Sequence, residues 1–367
     1  MSQPLPRRRV PRLRTALAGT VAVGLGLGLA LVGAGAGTNA SAAVTGTDSL
    51  PLSGATSSGL HNTYDPAAFP YLAQALDTGT SMIELDVWDD FITKEWKVSH
   101  SNPLGNSNNC VNASTTAQLY SGAANKNLES CLDDVRVWLA AHPGHAPLMI
   151  KLEMKAGFQS RFGLGPAQLD QAISAHLGSA VFRPADLLAK PGGGQYATLD
   201  EAAKAGNWPT RAQLAGKVIL EIIPGTVEEG NPTDSLWTDK EYATYLRDLH
   251  TAGRTAQAQI FPTVHGAQSG DPRTRYPDAS LRPWFVLFDG DAATYLNGTI
   301  DTAWYDTHHY LLVMTDAHNV APALDGKNPP PADAQARIAL LAKSHATIAS
   351  NDWTALPQVQ GLTLPRG

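Results

Sequence analysis

Cysteine is nearly missing from this chain of 367 residues: there are two, Cys110 and Cys131. That excludes zinc-ribbon or iron–sulfur frameworks, which need more soft ligands at short, fixed spacings. Positive charge is also scarce. Lys and Arg number 27 against 33 Asp and Glu, and several of the arginines crowd into positions 7–14. Nucleic-acid binding rests on clustered Lys and Arg, so no nucleic-acid partner is expected. No GxGxxG or Walker loop follows the first apolar run, which removes the nucleotide-binding versions of an α/β fold. An internal repeat is likewise lacking, and no composition shift marks a boundary inside the main body.

What is present begins with a leader. RRRVPRLR at 7–14 is followed by an apolar run from Ala16 to Gly37 and then by Ala40-Ser41-Ala42. Basic, apolar, small-x-small is the pattern of a secretory signal peptide, here residues 1–42 with cleavage after Ala42, and the protein is expected to be secreted. The run is long enough to span a bilayer, but its Gly and Ala content and the Ala-x-Ala site favour cleavage. In an exported chain the even pair Cys110 and Cys131 reads as one disulfide, stabilising by about 3 kcal/mol through closure of its loop. Residues 43–58 are rich in Ser, Thr, Gly and Ala and read as a flexible lead-in, leaving 59–367 as the folded domain.

Along that domain, short apolar runs alternate with helical periodicity. A helix is expected over 66–79, a strand over 81–88 and an alternating edge strand over 91–100. A long polar loop follows at 101–118, then an amphipathic helix at 127–144 and a strand at 146–155. Further strands are expected at 216–223, 258–264, 283–290, 309–316 and 346–353, with helices at 166–178, 238–253 and 332–344. Strand–helix alternation repeated seven or eight times implies a parallel sheet. The polar candidates sit at the ends of several different strands, which favours a single-domain α/β barrel over an open sheet.

Those candidates concentrate between 61 and 100. Residues two apart on a strand share a face, so Glu84 and Asp86 project together, as do Lys151, Glu153 and Lys155. Three carboxylates converging near Asn62 must take up protons or bind a cation. An all-oxygen set points to calcium or magnesium. His61 and His100 flank the cluster and suit acid–base phosphoryl transfer. Lys151 and Lys155 are open to two readings, substrate contacts or ion-pair partners of the carboxylates. Asp89 and Asp90 read as the start of a hairpin turn, and Asp316 and His318 as a turn after a late strand.

HNTY at 61–64, ELD at 84–86, SH at 99–100 and LE at 152–153 together resemble phosphatidylinositol-specific phospholipases C of the secreted, calcium-dependent bacterial type. The resemblance implies a distorted TIM barrel, calcium held by Asn62, Glu84, Asp86 and Glu153, and a catalytic pair of His61 and His100. His100 would protonate the departing diacylglycerol, and His61 would act around the inositol 2-hydroxyl and the phosphate. It also implies transient contact of a monomer with phospholipid at a membrane surface. Where polyphosphoinositide-preferring relatives carry lysines, this chain has Glu221-Ile222-Ile223, which implies a preference for plain phosphatidylinositol. The rivals are a glycerophosphodiester phosphodiesterase or sphingomyelinase-D-like barrel, and an inactive calcium-binding barrel. Asn62, where the first rivals carry arginine, argues against them; retention of both histidines argues against the second.

Overall fold

Runs of Ile, Leu, Val and Phe too short for helices form the strands of a barrel. The computed structural model describes residues 46–101, 108–125 and 127–367, so the expected signal peptide lies outside the described residues. Its strands are β1 (Ala55–Leu60), β2 (Met82–Asp90), β3 (Glu95–Val98), β4 (Leu148–Met154) and β5 (Val218–Pro224). They continue with β6 (Ile260–His265), β7 (Leu287–Asp291), β8 (Leu311–Thr315), β9 (Ile348–Asn351) and β10 (Thr363–Pro365). The hydrogen-bonded order is β10-β1-β9-β8-β7-β6-β5-β4-β2-β3. From β2 through β4 and on to β9 and β1, every pairing is parallel.

The barrel closes imperfectly. β1 and β2 are neighbours, but the backbone bond recorded between them runs from Ser81 N–H to the Ser58 carbonyl at 3.0 Å. Above and below that point the free edges pair elsewhere, β2 with antiparallel β3 and β1 with antiparallel β10. The connection from β6 to β7 also departs from the βα pattern, running through the 3-10 turns Pro272–Arg275 and Ala279–Trp284. This is a distorted TIM barrel in one domain.

The amphipathic helices lie close to their expected bounds, at Leu128–Ala141, Pro166–Leu177, Thr238–Thr251 and Pro331–Lys343. In the first of them Leu128, Leu132, Val135 and Leu139 are buried against the core, as the periodicity required. Cys110 and Cys131 are bonded, with Cα atoms 4.9 Å apart, so the disulfide ties the preceding loop to this helix.

Two expectations fail. The helix foreseen over 66–79 is confined to Leu72–Asp77. Asp65 Oδ1 accepts the Ala67 N–H at 2.8 Å, an Asx turn that competes with helix, and Pro70 disfavours helical backbone at Phe69. The flexible lead-in is also shorter than 43–58, because Leu52–Gly54 is a 3-10 turn and β1 starts at Ala55. That strand is buried along its whole length yet contains one large apolar residue. Its polarity hid where it begins, since the hydroxyls are satisfied internally: Ser58 donates to Gln360 Oε1 at 2.8 Å. Gly59 is there for space, because a Cβ would stand 2.8 Å from both Ile348 Cγ2 and Met82 Cβ.

Candidate active site

The C-terminal ends of the parallel strands gather the polar residues. Pairing registers Glu84 on β2 with Lys151 on β4 and Glu221 on β5, and one layer higher Asp86 with Glu153. Carboxylate oxygens of Glu84, Asp86 and Glu153 all lie within 4.8 Å of one another. Asn62 follows β1 in a left-handed conformation (φ 52°), and its backbone N–H donates to Glu84 Oε2 at 3.1 Å. Its side-chain Oδ1 accepts the Tyr64 hydroxyl at 2.9 Å. The expected ligand set is thus brought together at one end of the barrel.

Three cations offset the cluster. The Lys151 ammonium stands 3.4 Å from Glu84 Oε1 and 3.0 Å from Asp289 Oδ2. Lys155 stands 2.7 Å from Glu153 Oε1 and 3.1 Å from Asp86 Oδ2. Both lysines are buried and engaged by carboxylates, so the ion-pair reading replaces the expectation that they face substrate. The third cation is His61, whose Nε2 is 3.1 Å from Glu84 and whose Nδ1 is 2.9 Å from Asp352.

Burial alone would depress the His61 pKa, but Glu84 and Asp352 outweigh it and raise it to about 9. Burial likewise opposes ionisation of Glu84, yet His61, Lys151 and the Asn62 N–H hold its carboxyl below the usual range. Asp86 goes the other way. Burial, then the charges of Glu84 and Glu153, push it up to about 7, and neither of its oxygens accepts a well-aligned hydrogen bond. Three crowded carboxylates, one under-bonded and reluctant to ionise, are what a hard divalent cation would relieve, and the donor set fits calcium.

His100 differs in character. Its side chain is 67 % exposed, with Nδ1 3.2 Å from the Tyr64 hydroxyl and 3.4 Å from Asp86 Oδ2. The ring therefore sits on the cluster and faces the mouth of the barrel.

Glu221 does not stand where the sequence comparison placed it. It is fully buried inside the barrel, with Thr263 Oγ1 3.4 Å from Oε2, and burial raises its pKa well above the usual value. A carboxyl enclosed inside the barrel cannot meet a ring phosphate at the mouth, so that argument for plain phosphatidylinositol falls. Sequence reasoning also passed over Asp352, Asp289 and His265. The parallel register Leu60 to Asn351 carries His61 next to Asp352, a relation visible only once β1 and β9 are paired. Asp289 and His265 follow apolar runs that were read as strands, so strand-end position was the available signal.

Comparison with known proteins agrees with this geometry. A family profile described as phosphoinositide phospholipase C, Ca2+-dependent, matches residues 64–241. Among curated protein sequences none matches. A calcium-dependent phosphatidylinositol-specific phospholipase C from Streptomyces antibioticus is 53% identical, covering 86% of this chain and 99% of its own, with a TM-score of 0.83. A calcium-dependent phosphoinositol-specific phospholipase C from a Pseudomonas species, in a myoinositol complex, shares the fold at 21% identity, covering 87% and 96%, with a TM-score of 0.65. At the identity and coverage of the Streptomyces enzyme, the chain belongs to the calcium-dependent phosphatidylinositol-specific phospholipases C, a family of phosphoric diester hydrolases.

Proposed function

We propose that this protein is an exported phosphodiesterase that cleaves phosphatidylinositol to diacylglycerol and an inositol phosphate, by way of a cyclic phosphate. The observation that carries the reading is the cluster of Glu84, Asp86 and Glu153 with a histidine on either side. Asn62, Glu84, Asp86 and Glu153 would hold calcium, which when bound supplies Lewis-acid stabilisation of a phosphoryl oxygen. His61, with a carboxylate at each ring nitrogen, is protonated at neutral pH and offers positive charge to the phosphate. That leaves the proton of the attacking 2-hydroxyl to a carboxylate of the cluster. His100, exposed at the mouth, gives a proton to the departing diacylglycerol oxygen.

Contact with a lipid surface has a physical basis. Phe91 and Ile92, 52% and 79% exposed, form the tip of the β2–β3 hairpin at the end of the barrel that carries the cluster. Phe91 stacks on Phe162 at 5.3 Å between ring centroids, and Arg161 lies over that ring. Exposed Val227, Leu236 and Trp237 follow β5 at the same end. Aromatic and aliphatic tips with a nearby arginine suit shallow, reversible insertion among headgroups. No helix among the described residues is long and apolar enough to cross a membrane. The Cys110–Cys131 bond supports an oxidising compartment, in keeping with the leader.

We assign headgroup preference to a cleft of about 330 Å³ at the C-terminal ends of β5 and β6, lined by Glu229, Asp234 and Asp239 together with Lys240, His265 and Arg275. Acids balance bases there, which favours hydroxyls over several added phosphates. The deciding experiment is an assay of the purified protein on phosphatidylinositol, phosphatidylcholine and sphingomyelin, with and without calcium. Cleavage confined to phosphatidylinositol, removed by EDTA and restored by calcium, is expected. Activity that survives EDTA, or that favours either other lipid, would overturn the proposal.

A further inference from the structure

The end of the barrel opposite the cluster holds a second concentration of unused polarity. Arg211 lies in the turn segment ahead of β5 and is 4% exposed. No carboxylate among the described residues lies within the 4.0 Å of an ion pair with it. Its Nη1 donates to Ser57 Oγ at 3.1 Å and its Nη2 to Thr363 Oγ1 at 3.2 Å. Nε has no hydrogen-bond partner. A guanidinium carries five N–H donors, so most of this group's capacity is unspent.

The surroundings meet only part of that donor capacity. Ser57 Oγ and Thr363 Oγ1 are 3.2 Å apart, so one hydroxyl donates to the other and the second keeps a free hydrogen. His145 lines the same cavity; its Nδ1–H donates to the Ala146 carbonyl at 2.6 Å, and burial disfavours the charged ring, which leaves Nε2 as an acceptor. Asp48 lines the same cavity and favours the Arg211 charge from beyond ion-pair distance, but burial outweighs it and holds the guanidinium below its usual pKa, so the charge is only partly compensated. The cavity that Arg211 lines measures about 370 Å³, within the range of small-ligand pockets, and opens between the N-terminal ends of the strands. Its walls come from Ser81 before β2, His145 before β4, Arg211 before β5 and Thr363 of β10.

We propose that this cavity is a second binding site, specific for a tetrahedral oxyanion, either inorganic phosphate or a small phosphomonoester, held by the Arg211 fork and the Ser57 and Thr363 hydroxyls. Planar, bidentate recognition by arginine is the geometry that phosphate oxygens prefer. The site shares no residue with the catalytic cluster.

The test is titration of the calcium-loaded protein, selectively labelled at arginine, followed by the Arg211 Nε–H resonance in NMR. One arm uses inorganic phosphate, the other glycerol phosphate, and a stronger response to either identifies the source. The expected result is a saturable shift of that resonance with a Kd of about 1 mM or below, equally present in His100→Ala, whose site lies at the other end. In Arg211→Gln, calorimetric binding of the same anion falls at least about tenfold, while turnover of phosphatidylinositol is unchanged. Because that variant could unfold, Thr363→Val, which keeps the guanidinium and removes one hydroxyl, is expected to weaken binding by about threefold to tenfold. An Arg211 resonance that does not move, or binding that disappears in His100→Ala and persists in Arg211→Gln, would overturn the proposal.

Discussion

His100 and Asp170 show how one side chain's surroundings set its chemistry. His100 is exposed and, among the described residues, its ring meets Tyr64 and Asp86, so its removal leaves the core intact. His100→Ala is expected to lower turnover of phosphatidylinositol by about 10²–10⁴ with calcium affinity and thermal stability unchanged. Wild-type turnover in that variant would remove it from the mechanism. Asp170 is a structural group: it accepts the Tyr242 hydroxyl at 2.7 Å and the Gln259 N–H at 3.1 Å, with Oδ2 unpartnered. Burial raises its pKa to about 7, so the folded chain keeps a proton that the unfolded chain releases near the ordinary value of 3.8. Its contribution is therefore most favourable below about pH 4 and is lost as pH rises to about 7. Asp170→Asn should gain stability relative to wild type across that window, by up to about 4 kcal/mol, in denaturant titrations at several pH values. Equal pH dependence in the two proteins would show that Asp170 ionises normally.

Among the elements, two attachments to the barrel can be tested separately. The loop holding Cys110 is fixed to helix Leu128–Ala141 by the disulfide, and again by Asp134, whose carboxylate accepts the N–H groups of Val111 and Ala113 at 2.6 and 2.7 Å. Replacing both cysteines by alanine is expected to cost about 3 kcal/mol in denaturant unfolding, with the native helix content kept because Asp134 still anchors the loop. The β2–β3 hairpin is the second attachment. Its turn is set by Asp90, which accepts the Ile92 and Thr93 N–H groups at 3.0 and 3.2 Å, and this leaves Phe91 and Ile92 pointing outward. Converting both to serine is expected to lower activity on phosphatidylinositol vesicles about tenfold or more, through lost apolar insertion. Hydrolysis of a soluble, short-chain substrate should not change. An equal loss on both substrates would place the hairpin in catalysis instead of docking.

For the whole molecule, the barrel carries its charge cluster at a cost. Glu84, Asp86, Lys151, Glu221 and Asp289 are all buried, and desolvated charges are worth little unless closely paired. Calcium that binds only the folded cluster would add stability by linkage, about 2.7 kcal/mol at a concentration 100 times its Kd. Thermal unfolding with and without calcium measures this directly. Glu153→Gln, which removes one carboxylate of the cluster, should lose most of the calcium-dependent rise in Tm. A rise of the same size in that variant would move the calcium site elsewhere.

Sequence alone determined the strand–helix alternation, because apolar periodicity reports which face of each segment must leave water, whatever it later meets. It also determined that Glu84 and Asp86 share a side, since a strand's two-residue repeat is local. The disulfide could be read as well, because only two cysteines were available to pair. Tertiary structure decided everything that depends on which strands are neighbours. The pairing of β1 with β9 brings Asp352 to His61, and that of β2 with β4 and β5 gives Lys151 to Glu84 and hides Glu221. The start of strand β1 was hidden in a Ser- and Thr-rich stretch, because its hydroxyls find their partners on residues about 300 positions away and leave no local signature.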